Sequence, residues 1–291
     1  MSTEFTIEAL ETIARRTRRE IVIAIANAKA GHLGGPLSAV EMLTALYFRV
    51  MRIRPEEPDW PDRDRFILSK GHSSIALYAT LALRGYFPVE ELKTFDAIDS
   101  RLQGHPDMNA LPGLDMSTGS LGLGFGAGVG IALGAKLLGR EFTTYVMVGD
   151  GECNEGAIWE GAHVAQRYEL DNLVALVDEN QLQQFCWRDD GSPGRVALPP
   201  YGPGQLARRW AAFGWTVLAV DGHDITAVIE ALQEARRHNG APVALVAHTV
   251  KGKGVSFMES NWMWHSRVPT EEELRQALEE LSDPIAAAGV V

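Results

Sequence analysis

The chain has 291 residues, 46% of them apolar, and its 27 Lys and Arg against 38 Asp and Glu leave a formal net charge of -11. That is enough apolar side chain for one large α/β domain with a buried core, and the acidic balance excludes non-specific nucleic-acid binding, which relies on Lys and Arg. Cys153 and Cys186 share no C-x-x-C spacing, so neither a disulfide framework nor a zinc site is implied; without a leader-like start or an apolar run of about 18 residues, a cytoplasmic protein that does not span a membrane is expected.

In chain order, Glu4 to Lys29 reads as a long amphipathic helix, with Ile7, Leu10, Ile21 and Ile25 at mostly helical spacing and the basic segment Arg15-Arg16-x-Arg18-Arg19 as a solvated face. After a turn at Gly31 to Pro36, Ser38 is placed to cap a second helix that runs to about Arg49, and Pro55 to Asp64 is a loop. Phe66 to Ser69 is a short strand entering the turn Lys70-Gly71-His72, and a helix follows through Leu83. From Thr143 onward, strands ending near Val148, Val177, Val220 and His248 alternate with helices at 155–168, 205–213 and 225–238. This is a βαβ rhythm, and it predicts a parallel sheet with right-handed crossovers. The organisation expected is a single domain over 1–291: a helical N-terminal portion with the first strand (1–115), a parallel-sheet core (116–260) and a C-terminal extension (261–291). Gln183 to Gly204 reads as a long surface loop and Ala286 to Val291 as a frayed end.

Chemistry collects where the strands end. Gly149-Asp150-Gly151 closes one apolar run, and Asp178-Glu179-Asn180 closes the next. Ligands in open α/β sheets bind beyond the carboxyl ends of the strands, so Asp150 and Asn180 face one crevice. A carboxylate, an amide oxygen, a backbone carbonyl and two phosphate oxygens would nearly complete the octahedron that Mg²⁺ prefers. Four histidines, His32, His72, His105 and His265, sit in turns just outside regular elements; this favours a shared polar site, because imidazole exchanges protons and hydrogen-bonds sugar hydroxyls. A zinc cluster competes poorly, since no close His-x₃₋₅-His spacing occurs. His163 and His238 are assigned to packing or surface, and His223 and His248 stay undecided. The glycine-dense segment Thr118 to Gly130 follows loop residues where a nucleotide fingerprint would follow a strand. Its glycines serve either close helix packing or the approach of backbone N–H groups at Gly119 to Leu121 to a diphosphate. Glu155 complements a helix dipole, and Glu160 suits a subunit interface.

Taken together, Ala30-Gly-His-Leu-Gly-Gly-Pro36, Asp62 to Phe66, Ser69-Lys-Gly-His72, Gly104-His-Pro106, Thr118-Gly-Ser-Leu-Gly122, Gly149-Asp-Gly151, Glu155-Gly156, Asp178 to Asn180, Val220-Asp-Gly-His223 and Lys251-Gly-Lys-Gly254 resemble the N-terminal, diphosphate-binding half of transketolases over nearly the whole chain. The resemblance implies the three-layer, parallel-sheet α/β fold that binds thiamine diphosphate, here with a helical N-terminal extension. It implies Mg²⁺, with Ca²⁺ or Mn²⁺ as substitutes, held by Asp150, Asn180 and the carbonyl of Leu182. Gly35, His72, Gly119, Ser120, Leu121, Gly151, Gln184 and Lys251 would border the cofactor. His32, His105 and His265 would meet a sugar phosphate and share proton transfer, and Glu155 and Glu160 resemble acids that link two active sites across a dimer.

Full-length members of the family continue for several hundred residues, with a pyrimidine-binding domain whose glutamate protonates the aminopyrimidine. The expectation is therefore the N-terminal subunit of a split transketolase, inactive alone and paired with a separate C-terminal subunit in an α2β2 heterotetramer. Its reaction would move a two-carbon ketol unit from a ketose phosphate to an aldose phosphate. Two departures, Gln181 to Trp187 after the Asn180 turn and Ser266 after His265, lie near the expected substrate mouth. They keep a carrier-bound acceptor in specialised metabolism, and so a carrier-protein partner, as one alternative. The others are a non-catalytic scaffold and a 2-oxo acid dehydrogenase α subunit.

Overall fold

Five short apolar runs assemble into one parallel sheet in the computed structural model, which describes residues 5–183, 202 and 204–282. The strands are β1 (Arg65–Leu68), β2 (Thr144–Gly149), β3 (Leu173–Glu179), β4 (Thr216–Asp221) and β5 (Val243–His248), in the spatial order β1-β2-β3-β5-β4. Gly149 stands beside Asp178, and Asp178 beside Ala247. The carboxyl ends of β2, β3 and β5 are thus level, and the loops that leave them begin along one edge.

Around the sheet lie α1 (Ile7–Ala28), α2 (Gly34–Ser38), α3 (Val40–Ala45), α4 (Ser74–Arg84), α5 (Leu123–Leu137), α6 (Gly156–Arg167), α7 (Gln205–Ala212), α8 (Ile225–Arg237) and α9 (Glu271–Glu280). Because strand side chains alternate between faces, each central strand feeds two cores. Phe66, Tyr145, Met147, Leu176 and Leu245 pack with α1, α3, α4 and α8. Ile67, Val146, Val148, Val177 and Val246 pack on the other face with α5, α6 and α7. The N-terminal helices are therefore one layer of a three-layer molecule, and β1 joins that N-terminal portion to β2.

Close approach explains part of the glycine-dense segment. A Cβ at Gly128 would overlap Val146 Cγ2, and one at Gly124 would come within 2.8 Å of Ser69 Cα, so both glycines let α5 lie against the sheet. Gly126, Gly130 and Gly134 face open space instead.

Two expectations need correction. The second helix does not begin at Ser38. It starts at Gly34 and breaks at Ala39, with α3 and a π-helical turn at Leu46–Val50 following. Ser38 caps nothing because its hydroxyl is fully buried and donates to Asp178 Oδ2 at 2.7 Å; Pro36, in the first turn, is where a missing N–H costs nothing. The basic segment of α1 is not wholly solvated either, since Arg18 is buried and paired with Glu41 at 2.7 Å. Most of the expected 183–204 loop and the expected frayed end at 286–291 lie outside the described residues. Among those described, no helix is long and apolar enough to cross a membrane.

Candidate active site

A cleft of about 370 Å³ opens at the carboxyl edge of the sheet. Four of the five strand ends deliver a polar group to it: Lys70 and His72 from the turn after β1, Asp150, Gly151 and Glu152 after β2, Asn180 and Leu182 after β3, and Lys251 after β5. His32 and Gly35 enter from the start of α2, Gly119 and Leu121 from the segment before α5, and His265 from the short turn Trp262–His265.

Beneath the cleft, Asp178 is the hub of a buried network. Its carboxylate accepts from Lys70 Nζ, Thr249 Oγ1, Ser38 Oγ and, at 3.2 Å, Asn180 Nδ2. Burial would raise its pKa, but the Lys70 ammonium outweighs that and holds it below the ordinary value. Asp178 therefore ties the ends of β1, β3 and β5 to α2.

Asp150 has no such ammonium. It is almost fully buried and accepts the backbone N–H groups of Gly151 at 2.7 Å and Gln181 at 2.5 Å. Burial, then the neighbouring Asp178 charge, pushes it up to about 7. With the Lys251 ammonium acting on it only through space, this buried carboxylate is a fitting ligand for a cation. Asn180 Oδ1 accepts the N–H of Leu182 at 3.2 Å, and the Leu182 carbonyl accepts Lys251 Nζ at 3.0 Å with a second lone pair to spare. All three donors are oxygens, and no group of three or more His, Cys, Asp or Glu suited to a metal occurs among the described residues. One carboxylate with neutral oxygens suits Mg²⁺ completed by phosphate oxygens better than a caged transition metal.

Lys251 supplies positive charge. Burial lowers it to about 8, and its Nζ also lies 3.0 Å from His265 Nδ1. Beside it, His32, His72 and His265 form a triangle with ring centroids 5.0 to 5.3 Å apart. Burial first, then neighbouring positive charge, lowers them to about 4, 2 and 3 respectively. All three are neutral imidazoles near pH 7, able to donate or accept a hydrogen bond.

Of the residues expected at the site, Gly35, His72, Gly119, Leu121, Gly151, Asp150, Asn180, Leu182, Lys251, His32 and His265 all border the cleft. His105 and Ser120 do not line it. His105 is exposed, but a Cβ on Gly119 would stand 3.4 Å from its ring, and it contributes to the depression of His32. Gln184 lies outside the described residues. His248 pairs with Glu179 at 2.6 Å, and His238 with Thr216 at 2.8 Å. Glu155 is exposed beside the cleft and precedes α6 without a side-chain cap bond.

Sequence reasoning missed three lining residues, Lys70, Glu152 and Gln183. Glu152 is buried and accepts from Ser69 Oγ at 2.5 Å, Gly122 N at 2.8 Å and Gly149 N at 3.1 Å. It ties the segment before α5 to the turn that carries Asp150. For Lys70 and Glu152 the available signal was position, a charged residue two or three places past the end of an apolar strand.

Fold and site together define a class: an α/β protein whose parallel sheet presents, at its carboxyl edge, a cleft fitted to an anionic ligand and a hard cation. The family model described as "Transketolase, thiamine diphosphate binding domain" matches residues 11–283, and the chain belongs to the transketolase family. It is 42% identical over 279 residues to a subunit of the apulose-4-phosphate transketolase of Phocaeicola vulgatus, covering 96% of both chains. It is 45% identical over 251 residues to the 6-deoxy-6-sulfo-D-fructose transketolase subunit SqwG of a Clostridium species, covering 86% of this chain and 88% of that one. Among solved structures, the transketolase of Leishmania mexicana superposes with a TM-score of 0.85 at 29% identity, over 94% of this chain and 41% of that one. The chain thus spans about two fifths of the solved transketolase it resembles.

Proposed function

We propose that this chain is the diphosphate-binding subunit of a split transketolase, which transfers a two-carbon ketol unit from a ketose phosphate to an aldose phosphate. The observation that carries the reading is the gathering of Asp150, Asn180, Lys251 and three neutral histidines at one sheet edge. Near-complete mutual coverage with relatives named as transketolase subunits supports the split form.

Bound thiamine diphosphate supplies a carbon nucleophile and an electron sink for breaking the bond next to a ketone. The protein's part is to hold and orient. Asp150, Asn180 and the Leu182 carbonyl are the cation's ligands, and Lys251 with the backbone of Gly119 to Leu121 receives the diphosphate. Gly35 and Gly151 leave room for its approach. Neutral His32, His72 and His265 hydrogen-bond substrate hydroxyls and hold or pass a proton at their ring nitrogens, with His105 at the rim. A separately encoded pyrimidine-domain chain completes the site, in an α2β2 assembly.

Reconstitution with that partner tests this reading. With thiamine diphosphate and Mg²⁺, ketol transfer from a panel of ketose phosphates is expected from the two chains together and from neither alone. Failure of the assembled pair to turn over any donor would overturn it.

A further inference from the structure

His223, left undecided by the sequence, sits in the turn between β4 and α8, some distance along the chain from every cleft residue. The turn is pressed against the end of β5: Gly222 N donates to His248 O at 2.8 Å, and a Cβ on Gly222 would overlap Thr249 Cγ2. This close approach carries the His223 ring to Val250, whose backbone N–H donates to His223 Nε2 at 2.8 Å. An amide can only donate, so Nε2 carries the lone pair and Nδ1 the proton. The Nδ1–H then donates to Glu41 Oε2 at 3.0 Å.

Glu41, on α3, is itself buried and holds Arg18 of α1 at 2.7 Å. Arg18 reaches back to the same loop, with Nε donating to the carbonyl of Lys253 at 2.9 Å. Lys251 therefore lies between two clamped peptide groups, the N–H of Val250 and the C=O of Lys253, and both clamps meet at one carboxylate. Burial would raise the Glu41 pKa, but Arg18 and His223 outweigh it and hold it at about 2, so the hub is ionised throughout the neutral range.

We propose that Arg18, Glu41 and His223 form a positioning network that fixes the backbone around Lys251, so that its ammonium stands ready for the diphosphate. None of the three lines the cleft; they act through Val250 and Lys253. The inference rests on the reading of Lys251 as a diphosphate contact and adds where its placement comes from.

Two variants separate positioning from packing. In H223Q the longer amide puts its oxygen near the place of Nε2 and can still accept the Val250 N–H. In H223N the shorter amide can reach Glu41 but not Val250. Thiamine diphosphate is titrated calorimetrically at saturating Mg²⁺ into the full chain assembled with its partner subunit. H223N is expected to bind about ten-fold or more weakly, the scale of a misplaced hydrogen bond to a charged group, and H223Q within about three-fold of the unmodified protein. Equal weakening in both variants, or unchanged binding by H223N, would overturn the network's role while leaving the cofactor reading intact. No uptake by the unmodified assembly overturns the cofactor reading, and this inference with it. If H223N does not fold, amide exchange in the unmodified protein decides: slow exchange of the Val250 amide is expected, and exchange at an unprotected rate contradicts it.

Discussion

At the scale of single residues, the cleft holds groups whose place is visible in sequence and groups whose place depends on what they touch. Asp150 and Asn180 were legible because each ends an apolar run, and strand ends converge on one edge of a parallel sheet. The four histidines were legible as a set, but not which three would meet; His105 falls at the rim. Lys70, Glu152 and Arg18 were harder, because a charged residue in a sequence defaults to solvent, and only a buried partner overrides that default. His223 acts on a backbone amide, which leaves no trace in residue spacing. The neutral histidine triangle has a measurable consequence. In the unfolded chain each imidazole takes up a proton near its ordinary value of 6.5, whereas the folded values are about 4, 2 and 3. The unfolded state thus binds more protons over this window, so stability is present above about pH 6.5 and is lost as pH falls toward 4. His72→Gln removes one such proton. Thermal or urea unfolding of this variant from pH 6.5 to 4.5 should show a slope shallower by up to about 1.4 kcal/mol per pH unit. An unchanged slope would mean that His72 is not held neutral.

Among the elements, strands were read well because buried parallel strands are short, nearly continuous apolar runs. Their lateral order was not readable. Thr-Val-Leu-Ala-Val of β4 looks as apolar as β5, yet β4 is an edge strand and only partly buried. The break between α2 and α3 was hidden for a related reason: Ser38 has the composition of a cap, but Asp178 claims its hydroxyl. For α5 the sequence left close packing and ligand approach both open, and the helix itself divides its glycines between a packed and an open face. Two substitutions test that division. Gly126→Ala, on the open face, is expected to stabilise the chain by about 0.5–1 kcal/mol through helix propensity. Gly128→Ala, against Val146, is expected to destabilise it by about 1–2 kcal/mol, because the overlap with a packed sheet exceeds the same gain. Urea titrations of both variants give the sign directly, and stabilisation by Gly128→Ala would contradict the packing of α5.

For the whole molecule, the sheet works as an alignment device. Its register levels the ends of β2, β3 and β5, Asp178 and Glu152 tie the loops leaving them, and the cleft follows from those ties. Three-layer architecture and family were both legible from the chain. The partner's contribution was legible only as an expectation carried by the resemblance, because no spacing or periodicity within this sequence points to the groups that would activate the cofactor. The central claim is that this edge anchors a diphosphate through a divalent cation at Asp150. Calorimetric titration of thiamine diphosphate into the assembled protein, with Mg²⁺ and then with EDTA, tests it directly when run beside Asp150→Ala. Saturable binding in Mg²⁺ is predicted, weakened at least about a hundred-fold both by EDTA and by the substitution, the scale of losing a charged ligand from a buried site. Binding of equal strength in EDTA, or in Asp150→Ala with Mg²⁺, would contradict the account.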